Sequence, residues 1–134
     1  MVEEKEIEFK TLLTKQQYLY FLHYFSSKNH QIFWQYNYYY DTINSWFSNR
    51  KATLRVRVYE EDMKPAVWTV KYALTDTISQ EFHYEMTALE VQSILKKDRV
   101  CLPKALVTWL KQWDPSFEEA TVICMGQLAT KRCH

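Results

Sequence analysis

Glycine is almost missing from this chain: Gly126 is the only one in 134 residues. A Gly-rich loop of the Walker or dinucleotide type needs several glycines so that backbone N–H groups can approach phosphates. No such cradle can be built here, so any phosphate must be held by side chains. Cysteine is scarce too. Cys101, Cys124 and Cys133 are widely spaced and form no C-x-x-C pair, and their odd number argues against a disulfide framework and against structural zinc. No stretch approaches the ~18 apolar residues of a membrane-spanning helix. The charged start, Met1-Val-Glu-Glu-Lys-Glu, has no apolar core of a signal peptide. An excess of one charge is absent as well. Seventeen Lys and Arg against 16 Asp and Glu leave a formal net charge of +1, so there is no global basic field to drive non-specific nucleic-acid binding. These absences predict a soluble domain of the reducing cytoplasm, with neither a membrane nor a disulfide partner.

What is present is an aromatic-rich chain (7 Phe, 10 Tyr and 5 Trp) of single-domain length, residues 1–134. Period-two alternation predicts strands over Glu4–Lys10, Trp34–Asp41, Ala52–Tyr59, Ala66–Tyr72 and Ser79–Glu85. A sixth is expected over Ala120–Met125, with a further extended piece running to Arg132. Two capping boxes mark helix starts: Thr14 with Gln17, ahead of Tyr18, Phe21, Leu22 and Phe25, and Thr87 with Glu90, accompanied by Leu89, Ile94 and Leu95. A third helix begins near Pro103, carries Leu106, Leu110 and Trp113, and stops at Asp114-Pro115. The order β-α-β-β-β-β-α-α-β, with short turns between strands, predicts an α+β domain built on an antiparallel sheet.

Side chains alternate sides along a strand, so each strand divides into two faces. One face is apolar or aromatic: Leu54, Val56 and Val58, then Trp68, Val70 and Tyr72, then Phe82 and Tyr84. The other gathers Glu6, Glu8, Lys10, Asp41, Arg55, Arg57, Lys71, Glu81 and Glu85. The plain reading is a half-solvated sheet with a charged outer side. The alternative is a groove or barrel interior whose charges meet a charged ligand, because unpaired charge withdrawn from water is costly.

Glu6 and Glu8 lie two apart on one strand face, about 6.5–7 Å between Cα atoms, so both can reach one divalent cation. Lys10 places a cation beside them. Arg55 and Arg57 repeat the spacing with planar forks suited to phosphate, and Lys71 adds a point charge. Pairing of the two arginines with Glu81 and Glu85 across the sheet is the structural alternative. His83 shares the charged face without an H-E-x-x-H motif and reads as polar lining. Tyr39 is on that face, and Trp109 and Trp113 read as helix core. No Ser/His/Asp or Cys/His set points to a covalent nucleophile.

Glu6-Ile7-Glu8-Phe9-Lys10 matches the E-x-E-x-K signature of the CYTH superfamily, the triphosphate tunnel metalloenzymes. Tyr39-Tyr40-Asp41-Thr42, Leu54-Arg55-Val56-Arg57, Trp68-Thr69-Val70-Lys71 and the segment Gly126-x-Leu128-x-Thr130-x-Arg132 resemble its later segments, in order. The chain as a whole resembles small bacterial cytoplasmic CYTH-domain proteins. That resemblance implies an antiparallel β tunnel or barrel with helices outside, binding a triphosphate-containing small molecule with Mg²⁺ or Mn²⁺. It implies metal ligation by Glu6 and Glu8, with Glu81 on the acidic side. Phosphate binding would fall to Lys10, Arg55, Arg57, Lys71 and Arg132, and the catalytic set would be Glu6, Glu8 and Lys10. Family members continue for some tens of residues beyond the point matching His134. The expectation is therefore a partial tunnel in a domain truncated at its C-terminal end, with two further alternatives: the tunnel is open, or a second copy, as a homodimer, completes it.

Four functions follow from this reading: metal-dependent hydrolysis of an inorganic or organic triphosphate, a non-catalytic polyphosphate- or nucleotide-binding module, cyclisation of ATP as in adenylyl cyclases of this superfamily, and an interaction domain that keeps only the fold. Hydrolysis accounts for the most residues. Cyclisation needs a base pocket that no residue pattern identifies.

Overall fold

The computed structural model describes residues 2–7, 14–17, 19–20, 23, 32–60, 64–118 and 120–133, with the backbone alone at 2–4, 6–7, 32 and 132–133. The alternating segments are strands: β1 (Val2–Ile7), β2 (Ile32–Asp41), β3 (Ala52–Tyr59), β4 (Val67–Ala73) and β5 (Ile78–Glu85). The two extended pieces expected after residue 120 form one long strand, β7 (Thr121–Cys133). A bulge makes this possible. Tyr39 pairs with Gly126 and Tyr40 with Cys124, which leaves Met125 as the extra residue.

Thr87 caps the helix α2 (Ala88–Ile94) through the expected box: Glu90 N–H donates to Thr87 Oγ1 at 3.2 Å, and Thr87 N–H donates to Glu90 Oε1 at 3.0 Å. The same reciprocal pair joins Thr14 and Gln17 at 3.0 and 3.1 Å, and residues 15–17, 19–20 and 23 are helical. Tyr18, Phe21, Leu22 and Phe25 lie outside the described residues. The helix α3 (Lys104–Trp113) starts after Pro103 and ends at Asp114, as the proline positions require. Two short elements were not expected: α1 (Trp46–Asn49) and β6 (Arg99–Cys101). Four and three residues are too few for a period to be visible in sequence.

All seven strands form one antiparallel sheet in the order β1-β5-β4-β3-β2-β7-β6. Among the described residues it is not closed, since β1 and β6 occupy its two edges. The apolar face is read directly from the register. Leu54 opposes Val70, which opposes Phe82; Val56 opposes Trp68, which opposes Tyr84. Ile94 of α2, with Leu106 and Leu110 of α3, joins these residues, Phe47, Phe117 and Val122 in one buried core. Leu106 and Leu110 are fully withdrawn from solvent, so truncating either to Ala is expected to cost about 2–5 kcal/mol. Trp109 lies against Phe82 and Trp113 stacks on Tyr72, with ring centroids 3.5 and 4.6 Å apart. Both tryptophans are packing residues that hold α3 on β4 and β5, as their spacing predicts.

Candidate anion site on the polar face

The register aligns the opposite face into cross-strand rows about 6.5–7 Å apart along the strands. One row runs from position 4 of β1 through Glu81 and Lys71 to Thr53. The next contains His83, Thr69, Arg55, Tyr39 and Gly126. A third contains Glu85, Val67, Arg57, Asn37 and Leu128. Lys71, Arg55 and Arg57 thus stand on three successive rows of adjacent strands. Position 6 pairs with Ser79, one row beyond position 4.

Part of this face is withdrawn from water, while Thr53, Glu85, Gly126 and Leu128 in the same rows are exposed. Thr69 and Asn37 are 2% exposed, Gln35 4%, and Ser79 and Glu81 8% each. Buried polar side chains normally find partners, because an unmade hydrogen bond costs about 1–3 kcal/mol. Four atoms here have none: Gln35 Oε1, Arg55 Nε, Ser79 Oγ and Thr130 Oγ1. All four residues belong to the polar side of the register, Gln35 and Thr130 as direct cross-strand partners. Unsatisfied groups gathered on one face are what a polar ligand site looks like without its ligand.

The ion pairing differs from the structural alternative, in which the two arginines pair with Glu81 and Glu85. Among the described residues Arg57 engages no carboxylate; its Nε donates to Asn37 Oδ1 at 2.7 Å, and Asn37 Nδ2 donates to the Leu128 carbonyl at 3.3 Å. Glu81 instead faces Lys71, with Nζ 3.6 Å from Oε1, and His83, with Nε2 3.2 Å from Oε2. Burial, and then the neighbouring Arg57, holds the Arg55 guanidinium below the ordinary arginine range, while Glu81, Tyr39 and Tyr59 act in the other direction.

Asp41 is the one residue to be moved out of the lining. It sits 5% exposed at the end of β2 and accepts from the N–H groups of Thr42, Phe47 and Ser48 at 2.8, 3.0 and 3.1 Å, and from Ser48 Oγ at 2.6 Å. Its carboxylate is consumed by the turn into α1, satisfying donors that would otherwise be orphaned. His83 is the converse case. Sequence alone shows a solitary histidine; the register brings it opposite Thr69, whose Oγ1 is 2.9 Å from its Nδ1.

Glu8 and Lys10 lie outside the described residues, as do the side chains of Glu6 and Arg132. The backbone places position 6 opposite Ser79 and position 132 opposite Phe33, at the two ends of the row system. Among the described residues no three His, Cys, Asp or Glu side chains form a metal-binding group. The register pairs Glu4 of β1 with Glu81 and Glu6 with Ser79, and carboxylate oxygens are the chemistry that suits Mg²⁺ or Mn²⁺.

No helix among the described residues is long and apolar enough to cross a membrane. No curated protein matches the sequence. Several solved structures share the fold, two of them as follows. A candidate adenylate cyclase from Bacillus halodurans superposes with a TM-score of 0.72 at 21% identity, covering 98% of this chain and 67% of that one. HpAC1 from Hippeastrum, a candidate adenylyl cyclase described as having a dominant triphosphatase activity, superposes at 0.64 with 18% identity, covering 98% and 64%. This chain therefore spans about two thirds of the length of either structure. Residues 4–123 match the model of the CYTH domain, a span that includes Lys71, Arg55 and Arg57, and the chain belongs to the CYTH-domain family.

Proposed function

We propose that the polar face binds the phosphate chain of a triphosphate-containing small molecule and that the protein hydrolyses it. The observation that carries this reading is the row system itself. Three cationic side chains stand on successive rows of a partly buried face that also holds four hydrogen-bonding atoms without partners. A polyanion supplies acceptors for Arg55 and Lys71 and offsets the repulsion between Arg55 and Arg57. Arg57, fixed by Asn37 through Nε, presents its remaining N–H groups as a fork suited to phosphate oxygens. In this reading Lys10 and Arg132 extend the cationic path, while Glu6 and Glu8, with Glu81 beside them, hold Mg²⁺ or Mn²⁺. The divalent ion would supply neutralisation of phosphate charge. The chain's own cations orient the phosphates and stabilise charge as the terminal group departs to water.

Family membership and the triphosphatase activity named for HpAC1 support hydrolysis; the adenylate cyclase names of both neighbours keep cyclisation as a competitor. Binding without turnover is a second reading, favoured by the sheet being open at β1 and β6. Open edges also suit pairing with a second copy. A soluble cytoplasmic location fits the same reading. Tripolyphosphate, ATP and thiamine triphosphate, each with Mg²⁺ and with Mn²⁺, separate these cases. Hydrolysis predicts binding by calorimetry and phosphate release. Pyrophosphate from ATP would replace it with cyclisation. Binding without either product would leave a binding module, and no binding of any of the three would end the proposal.

A further inference from the structure

The chain Thr69–His83–Glu81–Lys71 runs across β4 and β5 through two direct cross-strand pairs, Thr69 with His83 and Lys71 with Glu81. Its contacts are 2.9 Å from Thr69 Oγ1 to His83 Nδ1, 3.2 Å from His83 Nε2 to Glu81 Oε2, and 3.6 Å from Glu81 Oε1 to Lys71 Nζ. Thr69 and Glu81 are buried. An ionised carboxylate only accepts hydrogen bonds, so the ring nitrogen facing Glu81 must carry the proton. In a neutral ring the other nitrogen is then an acceptor, and the Thr69 hydroxyl donates to it. Thr69 and His83 thus point their protons toward the carboxylate from one side, and the Lys71 ammonium points its own from the other.

We infer that His83 is a positioning residue. Thr69 holds its ring in the Nε2–H form, the ring fixes one oxygen of Glu81, and the other oxygen is thereby turned toward Lys71, the first cation of the row system. This inference rests on the proposed triphosphate site and adds a residue to it. His83 itself touches no phosphate; it sets where the carboxylate and the ammonium stand. Such outer partners of charged groups typically change affinity or activity 10- to 100-fold when removed.

Two measurements test it. The first is independent of any ligand: nitrogen-15 spectra of the imidazole in the full chain, assigned by comparison with His83→Gln. A proton on Nε2 is expected, and a larger fraction of the Nδ1–H tautomer in Thr69→Val. A wild-type ring with its proton on Nδ1 and none on Nε2 would overturn the inference. The second is tripolyphosphate calorimetry. His83→Ala is expected to weaken binding about 10- to 100-fold, and His83→Gln, whose amide nitrogen can still donate to Glu81, to recover most of it. Equal binding by wild type and His83→Ala, or a folded His83→Gln as weak as His83→Ala, would overturn the inference. Should wild type bind no triphosphate while the ring is Nε2–H, the proposed function falls and the alignment of His83 on Glu81 stands.

Discussion

Lys71 and Glu81 are direct register partners on β4 and β5, and Nζ stands 3.6 Å from Oε1 where the phosphate path begins. The pair is largely withdrawn from water, with side-chain exposures of 26% and 10%. Glu81 also opposes the burial of Arg55. Glu81→Gln would leave Lys71 and two arginines with less opposing charge. We expect it to lower stability by about 1–3 kcal/mol, the usual cost of removing one partner from a partly buried charged contact. Tripolyphosphate should restore more of the urea midpoint in this variant than it adds to wild type, because the anion takes over the missing charge. A variant as stable as wild type would show that the pair carries no net weight.

Asp41 gives a contrasting expectation. Its four accepted hydrogen bonds all serve the turn into α1. Asp41→Ala strands buried donors at Phe47 and Ser48, and a loss of roughly 3–4 kcal/mol is expected. Asp41→Asn keeps one acceptor and should lose about half as much. Tripolyphosphate affinity of the folded fraction should be unchanged in both. An affinity loss larger than the folded fraction explains would return Asp41 to the lining.

The strands and their two faces were legible in the sequence because the alternation of Leu54-Arg55-Val56-Arg57 and Trp68-Thr69-Val70-Lys71 is a local property. The capping boxes were legible for the same reason. Pairing was not. Which residue stands opposite which depends on register, a non-local quantity set by turns and bulges such as the one at Met125. The sequence therefore placed Glu81 on the right face and left pairing with Arg55 and Arg57 as an alternative, where the register supplies Lys71 and the same strand supplies His83. Asp41 was misplaced because its alternation assigns it to the polar side, while the chain turns immediately after it and claims its carboxylate.

On the far side of the molecule, Asp114 ends α3 and binds Arg50. Arg50 Nε donates to Asp114 Oδ2 at 2.7 Å, and Ser116 N–H donates to Oδ1 at 2.9 Å. Arg50 and then Ser116 hold the Asp114 carboxyl down at about 2, below its usual 3.8. A depressed folded pKa means that the ionised form favours the folded state. That contribution is complete above about pH 4 and disappears as the pH falls toward 2. Wild type should therefore exceed Asp114→Asn in thermal midpoint at pH 6, with the difference closing between pH 4 and pH 2. A difference that persists unchanged at pH 2 would mean the carboxylate charge is not its source.

Arg55 carries the last prediction, because burial and Arg57 both press against its charge. A guanidinium survives that pressure, since its ordinary pKa lies far above physiological pH. An ammonium has less margin: free lysine titrates near 10.4, and burial beside another cation pushes it down. Arg55→Lys should thus bind tripolyphosphate at pH 7 with a moderate loss from the missing fork, roughly tenfold on the scale of one charge-assisted hydrogen bond. Between pH 7 and pH 9 its affinity should fall further, as the lysine loses its proton, relative to wild type at each pH. The ratio of dissociation constants, variant over wild type, is the quantity to measure by calorimetry. A ratio that stays flat from pH 7 to pH 9 would place the residue 55 side chain in water or away from Arg57, and the buried cationic path would lose its middle member.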